Sequence, residues 1–144
     1  MAELSPLLLD SLACGQEVIL PITGTSMTPF LCPDRDCVVL RSVDPASLRV
    51  GDVALYRRLD GQYVLHRMVC RVEQPTLTYT MLGDAQWRKE YGVSPACVLA
   101  VATAFECKGK RLACDALTYR CRVTVWQWLR PVRRLLMAAW RRIQ

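Results

Sequence analysis

The chain has 144 residues, 52% of them hydrophobic and 22% charged, the size and composition of one folded domain, which excludes two full ones. Eight prolines and seven glycines are too few for a low-complexity or collagen-like polymer, and no internal repeat points to a solenoid. The net charge of +6 is unevenly placed: up to Cys107 nine Lys or Arg stand against twelve Asp or Glu, a balance of −3, and from Lys108 onward ten stand against one, a balance of +9. A basic tail favours an anionic partner such as a lipid surface or nucleic acid, unless it is only solvated charge. The mildly acidic body gives no reason to expect DNA across its face, so no nucleic-acid partner is expected.

No run approaches the ~20 apolar residues that a membrane span needs. The N-terminus is neither basic nor followed by a signal-peptide core, so the expected location is the cytoplasm. The eight cysteines, most of them in apolar runs as Cys37 is before Val38 and Val39, are expected to be reduced and buried. One histidine and no Cys-x-x-Cys argue against a metal centre, and no cofactor is expected.

In chain order, Glu3 to Ala13 carries Leu4, Leu7, Leu8 and Leu12 at helical spacing, with Gly15 where a helix would stop. Glu17 to Ile22 reads as a strand running into Thr23-Gly24-Thr25-Ser26-Met27-Thr28-Pro29-Phe30, a bend bracketed by glycine and proline. Short β-rich runs follow at Cys37–Leu40, Val53–Arg57, Gln62–Val72, Leu77–Leu82 and Ala96–Phe105, and Asp60-Gly61 is the clearest hairpin turn. This pattern predicts a mainly β domain, a folded ribbon or partial barrel over residues 1–107. Cys107 to Arg111 reads as a polar connection that opens a helical tail over residues 108–144.

In that tail Val125, Trp128, Leu129, Val132, Leu135, Leu136, Ala139, Trp140 and Ile143 fall on one stripe. Arg130, Arg133, Arg134, Arg141 and Arg142 lie mostly off it, and Pro131 is expected to begin a second helical segment. Trp128 and Trp140 beside Arg130, Arg133, Arg134 and Arg141 suit a helix lying in the interface of the inner membrane surface. Packing of the stripe on the β domain, or in a partner's groove, are the alternatives.

Three groups could do chemistry. Ser26 sits on a bend between a strand and a helical turn, where a hydroxyl can be exposed and backbone amides can converge; a serine there is otherwise a cap or turn former. His66 shares a strand face with Val64, Met68 and Cys70, either as a satisfied core histidine or as a general base with an ordinary pKa near 6.5. Asp84 in Leu82-Gly83-Asp84, or Glu90 six residues on, could orient an imidazole. A Gly-Asp pair is also a common turn, as Val50-Gly51-Asp52 illustrates.

Taken together, Gly24-Thr25-Ser26-Met27-Thr28-Pro29, Arg49-Val50-Gly51-Asp52-Val53-Ala54-Leu55-Tyr56, Val64-Leu65-His66-Arg67-Met68-Val69 and Leu82-Gly83-Asp84, in this order and spacing, resemble the signal-peptidase and LexA-like serine protease clan. The resemblance covers Glu17 to Phe105 and implies the clan's folded β-ribbon. It implies Ser26 as nucleophile and, because His66 occupies the position where other members carry lysine, a Ser-His peptidase. The orienting acid it implies is Asp84 or Glu90, Glu90 standing where a second aspartate is expected. The oxyanion hole would come from the Ser26 amide with help around Gly24, and Thr25, Met27 and Pro29 would complete the substrate-facing segment.

The chain departs from the clan at Arg35-Asp36 and Ala100-Val101, structural positions expected to alter turns more than chemistry, and lacks a serine two positions before Ser26. The N-terminal anchor of exported-precursor peptidases is not expected from the residues before Ser26. The resemblance then points to short maturation peptidases of bacterial peptide gene clusters, cutting a leader segment of a small precursor. Self-cleavage at Ala13-Cys14-Gly15 is disfavoured because Cys14 stands only twelve residues before Ser26. Without a DNA-binding domain a repressor is not expected. The alternative is a non-catalytic module on the same fold that binds a peptide or a membrane surface.

Overall fold

A computed structural model describes residues 6–132. Helix α1 (Pro6–Ala13) turns Leu12 into the core, while Leu7 faces water. Gly15, at φ 75°, closes the helix in a left-handed turn with Gln16 N donating to Ser11 O at 3.0 Å. The strands are β1 (Val18–Pro21), β2 (Asp36–Arg41), β3 (Val53–Arg57), β4 (Tyr63–Val72), β5 (Thr78–Leu82), β6 (Glu90–Val93), β7 (Val98–Cys107) and β8 (Lys110–Ala113), followed by helix α2 (Leu117–Trp128).

All pairings are antiparallel and the order is β1-β2-β7-β3-β4-β5-β6, with β8 added to β7. The fold is therefore mainly β, one open sheet of eight strands with a short helix before it and another after it. Two strands escape the sequence pattern. β6 is short and carries Gly92, and β8 lies in the stretch read as a polar connection. Lys108 (φ 51°) and Gly109 (φ 73°) make a two-residue turn between Cys107 and Lys110, the left-handed pair that such hairpins require.

Alternation along β3 places side chains on both faces of the sheet. Val53 and Leu55 join Leu20, Met27, Leu65 and Phe105 in the larger core, whereas Ala54 and Tyr56 join Met68, Tyr79 and Met81 in a second one. On β4, Leu65 opposes Leu55 and His66 opposes Ala54, so His66 faces the smaller core and its neighbour Arg67 the larger.

Tyr119 and Val123 of α2 are part of the larger core, so the first turns of the basic tail pack on the sheet. Arg130–Val132 continue as a 3-10 turn. Arg133, Arg134, Trp140 and Arg141 lie outside the described residues. All eight cysteines are free; Cys32 is buried, but Cys14, Cys70 and Cys121 are exposed, against the expectation of uniformly buried thiols. Their exposed positions lie at a helix end, on an outward strand position and on the outer face of α2. Among the described residues no helix is long and apolar enough to cross a membrane.

Candidate active site

After β1 the chain is held by Ile22 N donating to Asp36 O, and then turns through Ser26. Thr28 closes that turn: its N–H and its hydroxyl both donate to Thr25 O, at 3.2 and 2.8 Å, and Leu31 N donates to Met27 O. Met27 plugs the larger core, Thr25 and Gly24 are exposed, and Ser26 and Pro29 are half-buried. A Cβ added to Gly24 would meet nothing within 4 Å, so packing does not require glycine there. Ser26, Gly24, Met27, Val64 and Leu65 border a cavity of about 50 Å³.

The Ser26 carbonyl is fixed from the other side. Ala85 N donates to it at 2.8 Å, and a Cβ on Gly83 would stand 2.7 Å from the same oxygen. The Leu82-Gly83-Asp84 turn therefore lies flush against the serine turn, with no room for a side chain at Gly83.

Of the two candidate acids, Glu90 is the one beside His66. Its Oε1 lies 3.3 Å from His66 Nδ1, and its Oε2 accepts from Tyr56 Oη at 2.7 Å. Arg58 donates to both carboxylate oxygens. Tyr56 Oη also stands 3.1 Å from His66 Nδ1. A phenol has one proton; with that proton given to Glu90, Tyr56 can only accept from the ring, which puts the imidazole proton on Nδ1. The lone pair is left on Nε2, which has no hydrogen-bond partner among the described residues.

His66 is 1% exposed. Burial pushes its pKa down to about 4; Glu90 opposes the shift and Arg58 adds to it. The ring is thus neutral at pH 7. Burial alone would raise Glu90, but its hydrogen bonds from Arg58 and Tyr56 hold its carboxyl below the ordinary value.

Asp84 also pushes the His66 pKa up through its charge, and its carboxylate is held by Arg67. Arg67 grips it with two parallel bonds, Nε to Oδ1 at 2.9 Å and Nη2 to Oδ2 at 2.6 Å, with both side chains buried. Arg67 Nη1 also donates to Gly51 O (2.8 Å) and to Tyr119 Oη (2.9 Å). Trp126 Nε1 donates to Asp84 O at 3.1 Å, and its ring meets Phe30 edge-on at 5.7 Å. Both Gly-Asp turns of the sequence and α2 therefore converge on one guanidinium, and through Asp84 and Gly83 they brace the Ser26 turn. Asp36, at the start of β2, is likewise buried and bound, accepting from Cys32 N and Arg35.

No hydrogen bond joins Ser26 Oγ to His66 among the described residues. Sequence reasoning passed over Tyr56, Arg58, Arg67, Tyr119 and Trp126. Tyr56 and Arg67 carried a signal, as members of the Arg49–Tyr56 and Val64–Val69 motifs. No group of His, Cys, Asp or Glu among the described residues is placed to hold a metal ion.

Compared with known proteins, the chain matches no family model, no curated protein and no solved structure.

Proposed function

We propose that the chain is a serine endopeptidase of the Ser-His type, with the folded ribbon of the signal-peptidase and LexA-like clan, that cleaves a peptide or leader segment of a small precursor. The observation that carries the reading is the Tyr56–His66–Glu90 cluster. A core histidine needs only one partner, whereas here Tyr56 accepts from Nδ1, the Glu90 carboxylate stands 3.3 Å from the same nitrogen, and the Nε2 lone pair is left to take a proton.

In this mechanism Ser26 Oγ attacks the scissile carbonyl carbon and its proton passes to His66 Nε2. Glu90 and Tyr56 stabilise the imidazolium, and the Ser26 amide, with backbone near Gly24, faces the developing oxyanion. The C–N bond then breaks as Nε2 returns the proton to the leaving amine, and water hydrolyses the acyl-serine by the same route. The low basicity of buried His66 is a cost to the first transfer, offset by the carboxylate beside Nδ1. Hydrogen bonds between nucleophile and base often tighten only with substrate bound. The small cavity beside Ser26, bordered by Ile22, Met27, Val64 and Leu65, suits a small side chain, so substrates with Ala, Gly or Ser before the cut are expected.

The test is labelling by a small serine-directed phosphonate, comparing the native chain with Ser26→Ala and His66→Ala. Labelling confined to the native chain is expected. If native and Ser26→Ala chains label alike, or the native chain does not label, the second reading takes over: a non-catalytic peptide- or membrane-binding module, which the unmade Ser26–His66 bond favours.

A further inference from the structure

Helix α2 has two apolar faces, and the sheet covers only one. Tyr119 and Val123 are buried, and Trp126 reaches Phe30 and Asp84. At 3.6 residues per turn the opposite side carries Leu117, Cys121, Val125 and Trp128, continued by Val132 after the helix. Leu117 is 77% exposed, Val125 58%, Trp128 82% and Val132 41%, and Cys121 is exposed as well. These five form a stripe about 20 Å long at 1.5 Å per residue. Arg120 and Arg122, both exposed, project on either side of it, about 100° of helix rotation from its midline.

We propose that this outer face of α2 docks on an anionic lipid surface, with the apolar stripe among the acyl chains and Arg120 and Arg122 among the headgroup phosphates. The sequence expectation placed the contact at Trp128 and the arginines beyond it; the structure adds Leu117, Cys121, Val125 and Val132, and removes Tyr119, Val123 and Trp126, which hold the helix to the domain. The chain's own core is excluded as the occupant, because the sheet already takes the other face. Charge selects among the rest. From Lys108 onward ten cations stand against one acid, so a second copy would bring the same positive charge, whereas an anionic bilayer is complementary. Nucleic acid would satisfy the charge but leave Leu117, Val125 and Trp128 in water. The proposal stands independently of the peptidase chemistry.

The test is co-sedimentation of the full chain with vesicles of phosphatidylcholine, with and without a minority of phosphatidylglycerol. Partition at least about tenfold stronger to the anionic vesicles is expected for two headgroup-level arginines, falling with added salt. The variant Val125→Ser/Trp128→Ser should lose at least about tenfold in partition with unchanged circular dichroism. Arg120→Gln/Arg122→Gln should weaken the preference for phosphatidylglycerol by about tenfold or more. Should the serine variant misfold, acrylamide quenching of the native chain decides: vesicles must shield the exposed Trp128 contribution. Failure of the native chain to bind anionic vesicles, or unaltered binding by a folded serine variant, overturns the proposal. So does a native dimer that the serine variant converts to monomer, or binding to duplex RNA without binding to vesicles.

Discussion

Glu90 Oε1 stands 3.3 Å from His66 Nδ1, and the same carboxylate accepts the Tyr56 hydroxyl proton. The contact spans two strands, β6 and β4, that are not neighbours in the sheet, β5 lying between them. It fixes which ring nitrogen is free. Glu90→Gln should therefore lower kcat by about 10²-fold or more with little change in KM, in line with losses of up to ~10⁴ when a triad acid is made neutral. Tyr56→Phe should cost about tenfold, since Glu90 still holds the ring. Steady-state kinetics on a cleaved peptide checks both, and equal loss in Asp84→Asn without loss of stability would reassign the orienting acid.

The buried histidine also sets a pH dependence. His66 ionises at about 4 in the folded chain against an ordinary value of 6.5, so the unfolded chain takes up the proton first. Stability from the neutral ring is complete above about pH 6.5 and is lost as pH falls toward 4. Urea midpoints should drop across that window in the native chain and drop less in His66→Gln. For the same reason kcat/KM should hold level down to about pH 5 and fall near 4; an acid limb centred at 6.5 would show that the site is wetter than its burial implies.

Arg67 and Asp84 are a buried ion pair joined by two parallel hydrogen bonds. Arg67→Ala removes both of its bonds to the buried carboxylate and frees Gly51 O and Tyr119 Oη, and should cost about 3–5 kcal/mol in urea unfolding. Tyr119→Phe removes a single acceptor and should cost about 1–3 kcal/mol. A loss under about 1 kcal/mol for Arg67→Ala would mean that α2 and the two Gly-Asp turns are not braced through it.

Two glycines separate packing from substrate approach. Gly83→Ala drives a methyl to 2.7 Å from Ser26 O, so it should destabilise the chain by about 1–3 kcal/mol and reduce turnover by displacing Ser26. Gly24→Ala meets open space and should melt within a few degrees of the native chain while lowering kcat/KM, as expected of backbone that lies against substrate. Thermal melts beside peptide-cleavage rates distinguish the two; a fully active Gly24→Ala would remove that segment from the substrate path.

The sequence by itself determined the mainly β character, the starts and ends of most strands to within a few residues, and the short list of candidate groups. Alternation along Val53–Arg57 and Tyr63–Val72 is a local property, so two-residue periodicity was enough to place His66 with Val64 and Met68. It could not reveal β8, where charged residues carry no apolar alternation and the pairing is made by the long strand β7. Nor could it decide between Asp84 and Glu90. That choice depends on which face of β4 each carboxylate reaches: Arg67, one residue from His66, points to the opposite side and captures Asp84, leaving Glu90 to meet His66 from β6. The tail divides the same way. Periodicity showed an apolar stripe along it, but only the docking of Tyr119, Val123 and Trp126 decided which side the sheet would bury and which it would leave in water.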